Sequence, residues 1–324
     1  MLYCFGGRGW KMEHAKVKSH PKSHHYVSRF YLSYFATEEL LWVCDKKTPF
    51  IKKVGIRDIS CETYFNDIGS PGQRDFSLED MFSKLESQLS PRYHEFLQLL
   101  DDGEVSVESM QDIALFVTIS ALRTKAIREK ALEFICDAGN LFLKHPLTQE
   151  KLKTTMMSKF PELHEQEVAS LLEATRLKIN KDAEPNLHAE FVMLNLGLVN
   201  SVFSQILSRR WQILKYPGGS NYGFWTSDNP VSLYATISTG PYGLGFGTPF
   251  SNIAFPLSPR YCLVLYGDGL AIPIQKIDAI EIIPCDKNNL DFFNHLQCEQ
   301  SFRQVYTCTS NTFLFRHFMK YSYN

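Results

Sequence analysis

Four residues from distant segments carry most of the chemistry this sequence offers: His25, Glu86, Arg123 and Asp228. Each sits at the border of an apolar run, where a side chain is half withdrawn from water. An imidazole and two carboxylates are groups a divalent ion accepts, and an adjacent arginine suits a phosphoryl oxygen. Brought together, they predict a metal-dependent phosphodiester hydrolase, nuclease-like in kind. His25, Glu86 and Asp228 would hold Mg²⁺ or Mn²⁺, which lowers the pKa of a bound water. Arg123 would stabilise the charge that builds on the phosphoryl oxygens. The same four residues also suit a buried polar network that only fixes helices against a sheet, in a non-enzymatic binding protein.

Each residue has a plainer local explanation as well. The stretch "SHHYVSRFYLSYFA", residues 23–36, sets two histidines, an arginine and three tyrosines into an apolar run. His25 and Arg29 share a side in either a helix or a strand, so the pair does not depend on which forms. The alternative is that both bond carbonyl groups at the edge of the core. Glu79 and Glu86 flank one helix seam, but seven residues rise about 10 Å, too far for both to grip one ion. Glu79 is then a first-turn acid favoured by the helix dipole. In "ALRTKAIRE", Arg123 borders an apolar stripe and would pair with Glu86 if two helices pack antiparallel, or reach an anionic ligand. Arg128, about 140° further round that helix, is expected in solvent.

"WTSDNP", residues 225–230, ends a strand, and Pro230 forces Asn229 out of helical geometry. Asp228 therefore projects from a strand end, or else caps its own backbone in an Asx-turn. Ser227 lacks the G-x-S-x-G elbow of a serine nucleophile. His188, opening an apolar helix, is a weaker candidate.

The elements that must position these groups follow from periodicity. Residues 39–54 predict a β-hairpin around "DKKTP". Ser77 stands at a helix start, and Leu78, Phe82, Leu85 and Leu89 recur as a helical seam. A second helix is expected from about Val107 to Leu143, with others near 148–159, 164–180 and 186–208. From Trp211 onward, short apolar runs alternate with Gly, Pro, Asn and Asp about every ten residues, a strand-and-turn pattern. "STGPYGLGFGTPF", 238–250, lacks the strand-before, helix-after setting of a phosphate loop and is expected to be a flap. The closing stretch, 288–307, predicts a helix and a last strand.

The fold class expected is α+β: an N-terminal β-hairpin, a helical middle (about 77–208), and a C-terminal, mainly antiparallel sheet (about 211–310) with a closing helix. Residues 1–22 are expected to form a flexible basic leader, and 23–324 a single co-folded domain. A formal charge of −1 over 324 residues gives no global basic field, so a nucleic acid or nucleotide would have to meet a local patch. Eight scattered cysteines without a C-x-x-C pair argue against a zinc ribbon and fit buried thiols. The absence of a signal-like or membrane-length apolar run predicts a cytoplasmic protein with no membrane partner.

"HYVSRFYLSYFA", "LWVCDK", "SLEDMFSKLE", "ALRTKAIRE", "WTSDNPVSLY" and "FPLSPRYCLVLYG", in that order, resemble the bacterial domain of unknown function 4238 family over roughly residues 24–310. That family has proline where this chain has Ser28. The resemblance implies a shared fold and a shared polar set, and it brings no activity with it. It also implies a prokaryotic cytosolic setting.

Overall fold

The computed structural model describes residues 20–48, 51–69, 73–175, 197–218, 222–238, 243–248, 250–267, 280–310 and 315. The chain opens with β1 (Ser23–His25), α1 (Arg29–Ser33), β2 (Leu40–Asp45), β3 (Ile51–Gly55) and β4 (Cys61–Thr63). The helical middle follows as α2 (Ser77–Asp102), α3 (Val107–Leu122), α4 (Lys125–Leu143), α5 (Pro146–Lys159), α6 (Glu165–Ala174) and α7 (197–207). Then come β5 (Arg210–Lys215), β6 (Thr226–Ser227), β7 (Ser232–Ala235), β8 (Ser251–Pro256), β9 (Tyr261–Tyr266), β10 (Glu281–Pro284), α8 (Lys287–Gln300) and β11 (Gln304–Thr307). The molecule is α+β.

A five-stranded sheet runs β10-β5-β9-β8-β7, antiparallel except for the parallel β10–β5 pair. Its central strands are buried on both faces, and side-chain alternation divides them between two cores. Ile253, Phe255, Leu263 and Leu265 face the helical middle, packing with Tyr31, Tyr93, Phe96 and Phe116. Ala254, Cys262 and Val264 point the other way, onto Leu290, Phe293 and Leu296 of α8.

The hairpin β2–β3 forms where expected, with Leu40 opposite Gly55. It does not stand alone: β2 pairs with β11, which pairs with β6, giving the order β3-β2-β11-β6. One sheet thus draws strands from both ends of the chain. The aromatic residues of the opening stretch belong to the core. Tyr31 is fully buried and bonds the Pro256 carbonyl and Thr226 Oγ1, each at 2.7 Å.

Several element boundaries differ from expectation. The helix expected over 107–143 is two helices, broken at Arg123 and Thr124; Thr124 takes extended backbone angles and caps α4. Ser77 is the first residue of α2 rather than its cap, with its N–H donated to Asp75 Oδ1 at 2.8 Å. α2 continues past Pro91 to Asp102 and stops at Gly103, whose φ of 81° suits glycine. In the expected leader, residues 1–19 lie outside the described residues. His20 is held, stacked on the Phe76 ring at 4.2 Å. Among the described residues no helix is long and apolar enough to cross a membrane.

Candidate functional site

The break between α3 and α4 positions the centre of the site. Arg123 ends α3, and its N–H still bonds the Ile119 carbonyl. Its side chain turns inward over Phe82 of α2, with the guanidinium carbon 5.3 Å from the ring centroid. Only 7% of the residue remains exposed. There Nη2 lies 2.5 Å from Glu86 Oε1 and 2.5 Å from Ser28 Oγ, and the serine hydroxyl donates to the same Oε1 at 2.8 Å. The pairing of Arg123 with Glu86 across two helices is the one the sequence predicts.

Ser28 is the N-cap of α1, yet its side chain makes no cap bond. The hydroxyl is turned to Glu86 and Arg123 instead. Its φ of −58° lies within proline's range, so serine here keeps the backbone angle a proline would impose.

His25 ends β1, opposite Cys61. Its ring pKa is lowered below 6.5, chiefly by burial and then by the nearby Arg29 charge. A backbone hydrogen bond at Ile56 and the Glu86 carboxylate pull it back up, while Arg123 lowers it. A bond that raises a histidine pKa is donated by the ring, so one nitrogen is committed to the Ile56 carbonyl. The remaining nitrogen, Nε2, is buried and has no hydrogen-bond partner among the described residues. Nε and Nη1 of Arg123 share that condition. An imidazole kept neutral with a bare lone pair therefore stands near a guanidinium with two unused nitrogens.

Asp228 is filled by bonds of its own. It is 1% exposed, and its oxygens accept the N–H groups of Phe302, Arg303 and Gln304 at 2.8, 2.8 and 2.9 Å. Burial pushes its pKa up to about 6, against those three bonds and the Lys46 charge. Arg123 and Glu86 meet directly, and the charges of both act on His25, as does that of Arg29. Asp228 fixes the backbone where α8 turns into β11.

Two motifs nevertheless meet. Thr124 Oγ1 donates to Asn229 Oδ1 at 3.1 Å, and Asn229 Nδ2 donates to the Gln300 carbonyl at 2.9 Å. No local pattern advertises that contact, because it spans 105 residues. Among the described residues no group of three or more His, Cys, Asp or Glu is arranged to hold a metal ion.

Other expectations resolve differently. Arg128 is half-buried, 4.8 Å over the Phe65 ring, and burial lowers its pKa. Glu79 lies in the first turn of α2 and accepts from Asn66 Nδ2 at 2.7 Å, beside a fully buried His24 that sequence reasoning passed over. His24 uses both ring nitrogens, on the Pro21 carbonyl and the Asn66 N–H. Ser227 Oγ is bonded to Gln297. His188 lies outside the described residues. Four cysteines, Cys44, Cys262, Cys285 and Cys298, are buried and form no disulfide.

The family model for Protein of unknown function (DUF4238) matches residues 23–311. The chain belongs to that family. The match spans the DUF4238 chain from β1 through β11, so both halves of the shared four-stranded sheet fall within it. No curated protein and no solved structure matches this DUF4238 chain.

Proposed function

We propose that this protein hydrolyses a phosphate ester, a phosphodiester in nuclease-like fashion, at the site of His25, Glu86 and Arg123. The observation that carries the reading is Arg123: a buried guanidinium with two nitrogens, Nε and Nη1, left without acceptors. Buried donors are almost always paired, and a planar fork of N–H groups matches two oxygens of a phosphate. His25 complements it, since an imidazole held neutral with a free Nε2 can take a proton from an attacking water. Glu86 holds the guanidinium in place through Nη2. Arg29, exposed and close enough to act on the His25 charge, is the outward basic group that would meet the rest of a nucleotide or nucleic acid.

In a metal-dependent form of the site, a divalent ion, Mg²⁺ or Mn²⁺, would take His25 Nε2 and Glu86 as ligands, with water filling the remaining positions, and His25 would then serve as ligand in place of base. Bound there it would supply a more acidic water. Asp228 takes no part in this scheme.

The test is hydrolysis of bis-p-nitrophenyl phosphate and of single-stranded DNA, with Mg²⁺, with Mn²⁺ and with chelator. Arg123→Lys and His25→Ala are expected to lower kcat/KM at least about 100-fold, while Asp228→Asn loses activity only in proportion to unfolded protein. Unchanged hydrolysis in Arg123→Lys overturns the reading.

A second reading is favoured by the triple contact of Arg123, Ser28 and Glu86, which ties α1, α2 and the α3–α4 junction together. On it, the cluster is a structural clamp in a binding protein. Arg123→Lys would then lower stability while the wild-type protein takes up no phosphate.

A further inference from the structure

The helical arm that follows Thr124 carries more apolar surface than the rest of the molecule covers. α4 is apolar on two opposite sides. Leu132, Cys136 and Leu143 recur at i, i+4 and i+11, and this side is buried or half-buried. Phe134, Ala138 and Leu141 recur at i, i+4 and i+7 on the other side, with Ile135 and Phe142 beside them. There Phe134 is 72% exposed, Leu141 75% and Phe142 67%. Leu147, at the start of α5, is 74% exposed, and α5 itself buries no residue.

A helix apolar on both sides needs cover on both. The four most exposed side chains leave on the order of 500 Å² of apolar surface in water, near the most that a monomer ordinarily shows. Counted on two copies of the chain, that is about 1,000 Å², the area at which a specific interface becomes stable.

The charges beside the stripe select its occupant. Asp137 and Lys144 are exposed and lie two turns apart on one flank of α4. Neither has an ion-pair partner among the described residues. Against a second α4 running the opposite way the pair is self-complementary, since Asp137 of each copy meets Lys144 of the other. The axis that does this passes between Asn140 and Leu141. It also brings Phe134 of one copy level with Leu147 of the other, so the same symmetry serves the charges and the apolar groups. A parallel pairing would set like charge beside like. An anionic lipid surface would meet Glu133 and Asp137 together at the edge of the stripe. We propose that this face of α4 is a two-fold, antiparallel docking surface for a second copy of the chain.

The experiment is sedimentation velocity of the full chain over a wide concentration range. Wild type is expected to dimerise, and Phe134→Glu/Leu141→Glu to remain monomeric. The decisive variants reverse the charges. Asp137→Lys and Lys144→Asp each set like charges together twice, and each is expected to raise the dimer Kd at least about tenfold. The double reversal Asp137→Lys/Lys144→Asp is expected to restore it to within about threefold of wild type. Circular dichroism checks that each variant is folded. A dimer indifferent to the single reversals, or a double reversal no better than either single, overturns the proposal. A wild-type chain that stays monomeric overturns it too. In that event, lost stability in Phe134→Glu/Leu141→Glu would assign the stripe to other residues of the same chain, and flotation with phosphatidylglycerol vesicles would assign it to a lipid surface.

Discussion

Arg123 and Asp228 offer a controlled comparison within one molecule. Both are buried ionisable side chains, both sit where an element ends, and both attract attention in the sequence for the same reason. Asp228 is saturated: three backbone N–H groups from consecutive residues close on its two oxygens. Arg123 has Nη2 engaged twice and two further nitrogens without acceptors. Burial of a charge is therefore a poor guide to function by itself, since structure explains it wherever hydrogen-bonding capacity is filled. Capacity left over after the structural bonds are made is the better indicator.

The largest expected effect breaks the saturated member. Asp228→Ala leaves the N–H groups of Phe302, Arg303 and Gln304 buried without acceptors and is expected to cost about 3–5 kcal/mol. Urea denaturation measures it. A loss below about 1 kcal/mol would mean those bonds do not hold the α8–β11 turn.

The next effect sharpens the comparison through pH, because the two sites titrate with opposite sign. Asp228, pushed up to about 6 from 3.8, binds a proton more readily in the folded chain than in the unfolded one. Its contribution is full below about pH 4 and is lost as pH rises through about 6. A shift of that size corresponds to about 3 kcal/mol. His25, lowered below 6.5, contributes above that pH and loses its contribution on acidification. Denaturation of wild type, Asp228→Asn and His25→Gln from pH 4 to 7.5 separates the two. Asp228→Asn should lack the decline with rising pH, and His25→Gln the decline with falling pH. Parallel curves for all three would contradict both assignments.

The smallest effect concerns Ser28. With φ already at −58°, Ser28→Pro fits the backbone and removes only the hydroxyl bridge between Glu86 and Arg123. The expected cost is about 1 kcal/mol or less by denaturant titration. A much larger loss would show that the bridge, rather than the direct Arg123–Glu86 pair, holds the site.

What the sequence made legible, and what it hid, divides along the range of the contacts. The seam of Leu78, Phe82 and Leu89 is buried as its spacing predicts, because the helical period is local. The Arg123–Glu86 pair was legible by one further step, from two seams to two packed helices. The break at Thr124 was hidden, because "LRTKAIRE" contains neither Gly nor Pro and the cap is bonded to a residue 105 positions away. The pairing of β2 with β11 was hidden for the same reason. Asp228 was found but its role was not. Its partners are backbone N–H groups 74 to 76 residues on, and a backbone donor leaves no mark in the residue types.

The most direct test of the central claim observes the Arg123 Nε–H itself. In a ¹⁵N-labelled protein its cross-peak can be assigned by loss in Arg123→Lys and followed during titration with inorganic phosphate. The account predicts a saturable shift of that peak, retained in folded Asp228→Asn and weakened in His25→Ala. A peak that stays fixed up to high phosphate, in a folded protein, would contradict it.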